Sequence, residues 1–146
     1  MSAEENKAMA RRYWDEVWST GNVAIVDEIF APDSINHSPE RTTASRGTES
    51  RKEGPTRWRT AFPDFRATVE DIFAEGDKVV VRWTVGGTHR GNIEIPSVGT
   101  IPPTGKHVSF GGMDIYHFRG GKIVEGWRYW SALQLVQQLG VVPTAG

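Results

Sequence analysis

The chain contains no cysteine, which removes disulfide frameworks, thiolate metal sites and cysteine nucleophiles together. It also lacks an excess of either charge: 17 Lys and Arg stand against 18 Asp and Glu, a formal net charge of -1. Without a strong field of one sign, nucleic acid and anionic membrane surfaces are not expected partners. Long apolar runs are missing too. The longest, such as VVV at 79–81, fall far short of a bilayer span, and the opening MSAEENKAMARR has no apolar core of a signal peptide. The expectation is a soluble cytoplasmic protein. Asn36-His37-Ser38 has the form of a glycosylation acceptor and is discounted for want of a secretory signal. His89, His107 and His117 are scattered, with no acid or second histidine at ligand spacing, so no metal site is expected. Gly111 and Gly112 do not precede a helix, which excludes a phosphate cradle.

What is present suits one domain, since 146 residues are enough to enclose a core and no repeat or linker divides them. Ser2 and Glu5 have capping-box spacing, and Met9, Tyr13, Trp14, Val17 and Trp18 recur at helical period, which predicts a helix over 3–20. A second helical segment, 23–30, ends at Pro32, and a third, roughly 48–61, is interrupted near Gly54-Pro55. From Phe65 the pattern becomes alternating and β-branched in four long strands of meander order. SALQLVQQLG at 131–140 reads as a closing helix before a frayed Pro/Gly tail, and the Pro- and Gly-rich stretch 91–105 as a loop at the mouth of the sheet. Helices followed by an antiparallel sheet define α+β. Glycines 86, 87, 111, 112 and 126 within the strands predict a strongly bent sheet. Capped by the N-terminal helices, such a sheet encloses a cone lined by aromatic residues, the character of a small-molecule site.

Several stretches carry a family resemblance: APDSINH, AFPDF at 61–65, EGDKVVVRWTVGGTHRG, IPPTGK at 101–106, and GGKIVEGW followed by LVQQLG. Taken jointly, from about Asn6 to Gly140, they resemble the SnoaL-like polyketide cyclases, or ester cyclases, of the nuclear transport factor 2-like superfamily. The resemblance implies a cone-shaped α+β barrel, a homodimer, no metal or cofactor, and an intramolecular aldol cyclisation of an aromatic polyketide ester. It also implies catalytic positions. The family's acid/base aspartate on the last strand falls at Arg128, and its supporting histidine on the preceding strand falls at Asp114, so neither is kept. A pocket asparagine is kept as Asn36. The related limonene epoxide hydrolases use an Asp-Arg-Asp set. Arg82 corresponds to their arginine, but Thr84 and Arg128 stand where the acids belong, which argues against that chemistry.

Abstraction of a proton beside a carbonyl requires a base near the carbon and a partner for the resulting enolate. Asp114 suits the first part and Arg128 the second, with His37 as a proton donor at the pocket rim and Asn36 as a hydrogen-bonding partner. Tyr116, on the Asp114 side, is a candidate oxyanion donor. Trp14 and Trp130 are candidate aromatic walls, although Tyr13, Trp14 and Trp18 also suit a packed core, and Arg82 either lines the cone or reaches solvent. The competing reading makes Asp114 and Arg128 a structural salt bridge, His37 a turn ligand and Tyr116 an ordinary buried phenol. The overall alternatives are therefore a cofactor-independent cyclase or isomerase acting on a hydrophobic carbonyl compound, a non-catalytic binder of hydrophobic ligands, and an epoxide or ester hydrolase.

Register makes the pair testable. With an unbroken turn at Gly120-Gly121, Asp114 faces Trp127, and Arg128 lies on the opposite side of the sheet. One extra residue at Glu125-Gly126 brings Asp114 opposite Arg128 and Gly112 opposite Trp130, so a bulge is expected there. The same register exposes Met113, Ile115, Val124, Trp127 and Tyr129 on the other face, the expected homodimer interface.

Overall fold

The computed structural model describes residues 2–39 and 42–141. The Ser2 hydroxyl accepts from the Glu5 amide and the Glu5 carboxylate from the Ser2 amide, so the capping box opens α1, Ala3–Arg12. Beyond Arg12 the helix widens. Tyr13–Trp18 is a π-helical segment in which the Ser19 amide donates to the Trp14 carbonyl at 3.1 Å. Its wider turn buries Tyr13 and Trp14, adjacent in sequence, together with Val17 and Trp18.

The helix expected over 23–30 is largely replaced. A 3-10 turn, Val23–Ile25, leads into one turn of α2, Val26–Ile29, and the chain then extends as β1, Phe30–His37. Pro32 lies where the β1 ladder shifts register between Phe30 and Ile35, a place where its missing N–H costs no sheet bond. After the short β2, Ser45–Arg46, the third helix α3 runs Glu49–Ala61 without the expected break. Pro55 inside it removes the amide that would have bonded the Arg51 carbonyl, yet the helix continues.

The remaining elements are β3 (Arg66–Glu75), β4 (Lys78–Thr88), the ribbon β5 (Ile93–Ile95) and β6 (Gly99–Ile101), β7 (His107–Arg119), β8 (Lys122–Trp130) and α4 (Ala132–Leu139). Gly140 ends α4 in the left-handed region at φ 76°. The expected frayed tail, 142–146, lies outside the described residues. The main sheet has the order β2-β1-β8-β7-β4-β3, so the predicted four-strand meander is present and β1 extends it. Because β1 runs parallel to β8, the sheet is mixed rather than wholly antiparallel. It curves strongly in an α+β arrangement, but it is not closed into a barrel and β2 and β3 remain as edges. Helix α1 packs on β3 and β4, and α4 on β7. The stretch 91–105, expected as plain loop, holds the β5–β6 ribbon. No described helix is long and apolar enough to cross a membrane.

The β7–β8 register places Asp114 opposite Arg128 and Gly112 opposite Trp130. A bulge causes this, as expected, but its extra residue is Val124: His117 pairs Glu125 and Phe118 pairs Ile123. Period-two alternation then sorts every row. On the concave side one row reads Val81, Asp114, Arg128, a second Trp83, Gly112, Trp130, and a third Val79, Tyr116, Gly126, Asn36. The convex side carries Phe73, Val80, Ile115, Trp127 and His37 in one row, with Arg82, Met113 and Tyr129 in the next.

Candidate functional site

The concave face, the π-helical segment and α3 enclose a cavity of about 140 Å³, with β5 at its edge. That is room for roughly one aromatic ring, since a cavity of about this size accepts benzene. Its walls are mainly Trp14, Trp18, Trp58, Trp83, Phe110 and Trp130. Trp14 stacks on Trp18 at 5.6 Å and on Trp83 at 4.9 Å, forming a continuous indole surface. Gly112 is what lets this wall exist: a Cβ there would lie 2.4 Å from the Trp83 ring.

Asp114 is fully buried beneath that wall, and both its oxygens are occupied. Oδ1 accepts from Trp83 Nε1 at 3.0 Å and from Arg128 Nε at 3.0 Å, while Oδ2 accepts from Arg128 Nη2 at 2.8 Å and Tyr116 Oη at 2.6 Å. Tyr116 in turn accepts from Trp14 Nε1 at 2.9 Å. Burial is the largest influence on Asp114 and pushes its pKa up. The charge and hydrogen bonds of Arg128, then the charge of Arg51 and the Tyr116 hydroxyl, outweigh it and hold Asp114 below the ordinary carboxylate value. Burial first, and Asp114 second, raise Tyr116 well above the ordinary phenol. Burial opposes the charge on Arg128, but Asp114 more than compensates and the guanidinium stays protonated.

Arg128 is the part of this cluster that reaches the cavity. Its guanidinium lies 5.3 Å from the ring centres of Trp14 and Trp18 and 5.8 Å from that of Trp83. Nε and Nη2 are committed to Asp114, whereas Nη1 has no acceptor among the described residues. Asp114 and Tyr116 are not on the cavity surface, which corrects two expectations. A carboxylate saturated by four donors behind an indole wall is not placed to take a proton from a molecule in the cavity, and the Tyr116 hydroxyl is spent on Asp114. What Asp114 does in this structure is hold Arg128 through Nε and Nη2.

Other expected site residues separate cleanly. Asn36, Trp14 and Trp130 line the cavity. Arg82 does not: it belongs to the convex rows, is half exposed, and donates to Asp71 at 2.7 Å. Its neighbour Trp83 takes the inward position, as alternation requires. His37 borders the cavity, but its ring belongs to the convex row of Trp127, stacks on that indole at 5.3 Å, and pairs with Glu125 at 2.7 Å. It is not brought together with Asp114.

Two groups were not found from the sequence. Arg51, only 6% exposed, lines the cavity, donates from Nε to Asn36 Oδ1 at 2.7 Å, and lies 4.7 Å over the Phe30 ring. Gly126 makes its space, because a Cβ there would come within 2.7 Å of Arg51 Nη2. The signal was available: Arg51, Pro55 and Trp58 share a face of α3 at helical spacing, and a lone arginine on a buried face needs a purpose. Glu94 on β5 is the other, and it is the one carboxylate among the described lining residues. Among the described residues no group of three His, Asp or Glu side chains converges to hold a metal ion.

A model of the SnoaL-like polyketide cyclase family matches residues 8–139 of the chain. Solved structures with similar folds include AclR, a candidate hydroxylase from Streptomyces galilaeus, at 27% identity over 97% of this chain and 100% of that chain, TM-score 0.80. TsrD from Streptomyces laurentii is similar at 26% identity over 97% and 99%, TM-score 0.83. A candidate polyketide cyclase from Acidithiobacillus ferrooxidans is similar at 31% identity over 96% and 98%, TM-score 0.78. No curated protein matches the sequence.

Proposed function

The chain belongs to the SnoaL-like polyketide cyclase family, and from that premise we propose that it is a cofactor-independent cyclase or isomerase acting on a hydrophobic carbonyl compound. The observation that carries this is the Arg128 guanidinium, fixed by buried Asp114 and presented to an aromatic cavity. A preorganised cation in a dry site stabilises the oxyanion that forms when a proton leaves the carbon beside a carbonyl. Because Asp114 does not line the cavity and Glu94 does, Glu94 is the base this reading names. One carboxylate at the cavity edge removes the proton, Arg128 holds the enolate oxygen, and the enolate carbon attacks a second carbonyl of the same molecule. The proton then returns to the new alkoxide, so substrate and cyclic product are isomers.

The test is incubation with aryl-substituted diketo esters in deuterium oxide, followed by mass spectrometry. A cyclic isomer is expected whose solvent deuterium, delivered to the new hydroxyl, washes out in light water, with turnover lowered about 100-fold or more by Glu94→Gln and by Arg128→Met. A product heavier by one water, labelled from oxygen-18 water, favours a hydrolase instead. Binding without any product favours a non-catalytic binder, a reading supported by the closure of Asp114 to the cavity.

We also infer a homodimer through the convex sheet face. Phe73, Met113, Ile115 and Tyr129 are all exposed there, beside Trp127. Adjacent rings and aliphatic groups in two rows make a contiguous apolar patch of the kind that partners cover.

A further inference from the structure

The charges sealed around the cavity do not balance. Arg128 is matched by Asp114, its ion-pair partner at 2.8 Å. Arg51 is a second permanent cation, 6% exposed, and no carboxylate among the described residues forms an ion pair with it. Its one hydrogen-bond partner is the neutral oxygen of Asn36, and its charge otherwise rests on the faces of Phe30 and Tyr13. Tyr116 cannot supply the missing charge, being held protonated by burial and by Asp114. Arg57 and Glu94 also line the cavity, but both are exposed and opposite in sign, so the imbalance rests on buried Arg51. A buried cation without a counterion is costly unless something else brings the anion.

The Arg51 guanidinium is also held in place. Gly126 gives Nη2 room against β8, since a Cβ there would lie 2.7 Å from it, and Asn36 turns the guanidinium by holding Nε. Asn36 is itself held by the Gly47 carbonyl at 3.3 Å and Ser50 Oγ at 3.4 Å. The Nη1 and Nη2 edge therefore has no protein acceptor among the described residues and presents paired donors, the geometry that suits a carboxylate.

We propose that the ligand of this cavity is an aromatic or alicyclic carboxylate, whose carboxyl group seats on the Nη edge of Arg51 while its ring lies against the indole wall. This rests on the reading of the cavity as the substrate site, and it narrows the substrate class from a neutral carbonyl compound to a keto acid. Arg51 holds the permanent charge, leaving Arg128 for the charge that develops during reaction.

Calorimetric titration of the full chain with benzoate, methyl benzoate and inorganic phosphate tests it. Benzoate is expected to bind at least tenfold more tightly than its ester, and phosphate not to compete. Arg51→Met should abolish the preference for benzoate over methyl benzoate, and Arg51→Lys should retain part of it. Equal binding of acid and ester by the unmodified protein overturns the proposal without any variant. So does a preference that survives Arg51→Met, or phosphate competing as well as benzoate. Should Arg51→Met fail to fold, Gly126→Ala, which intrudes on Nη2 but keeps the charge, is expected to weaken benzoate at least fivefold more than the ester. The deuterium assay reports separately on the cyclase reading, so loss of that reading with an intact carboxylate preference is a distinct result.

Discussion

Asp114 and Arg128 are direct partners across β7 and β8, and the guanidinium closes on the carboxylate through Nε at 3.0 Å and Nη2 at 2.8 Å. With Asp114 fully buried, removing either partner leaves a charge stranded, which typically costs about 3–5 kcal/mol. Removing both strands nothing. Asp114→Asn and Arg128→Met are therefore each expected to lose stability on that scale, and the double variant to lose clearly less than their sum. Urea unfolding of the four proteins measures this, and simple additivity would show that the pair is not coupled.

The same pair sets an acid limit. Folded Asp114 binds its proton less readily than the unfolded chain does, so the unfolded state takes up more protons as pH falls. Its contribution is complete above the ordinary aspartate value of 3.8 and is lost as pH falls through the lower folded value. Exposed Asp27, Asp64 and Asp77 are shifted the same way and give a slope in any variant. The difference between unmodified protein and Asp114→Asn isolates the buried group: it should be flat near neutrality and shrink below about pH 4. A constant difference down to pH 2 would contradict this.

Gly112 offers a third measurement. A methyl group there would meet Trp83 at 2.4 Å and the Tyr129 carbonyl at 2.7 Å. Trp83 cannot swing aside without losing its bond to Asp114, and a strand carbonyl cannot yield. Gly112→Ala should cost about 1–3 kcal/mol or more, and should weaken benzoate and methyl benzoate alike by narrowing the cavity. Thermal unfolding and the same titrations check both effects.

The alternation that begins at Phe65 was enough to read the meander, and one misplaced residue was enough to test it. The bulge falls at Val124 rather than Glu125-Gly126, yet the register of Asp114 and Arg128 is unaffected, because any single insertion between His117 and Arg128 flips the later residues. β1 was illegible for a different reason. VAIVDEIF has helical period, and the parallel partner that draws Phe30–His37 into the sheet lies 90 residues away at His37 and Trp127 and 93 at Phe30 and Ile123. Missing β1 left His37 in a turn at the pocket rim instead of on the convex face of a strand. The site suffered from the opposite problem: Asp114 was legible as an inward acid, but whether an inward acid meets the cavity depends on Trp14 and Trp83 covering it, which only packing decides. Arg51 lies on a helix whose Gly54-Pro55 suggested a break, so its buried face went unread.

The convex face gives the last prediction. Tyr129 is 63% exposed and Met113 46%, adjacent in one row, with Ile115 in the row beside them. None of the three contributes to the core behind Asp114, so replacing them leaves the inward rows untouched. A specific interface needs roughly 800 Å² from each partner, and these rows with Phe73 and Trp127 supply its apolar centre. The unmodified chain should sediment as a dimer at micromolar concentration, and Met113→Glu with Tyr129→Glu should convert it to a monomer with unchanged circular dichroism. Charges placed on both copies face each other across a two-fold interface, which is why two substitutions suffice. A monomer in the unmodified protein, or a dimer indifferent to both glutamates, would assign this apolar face to something other than self-association.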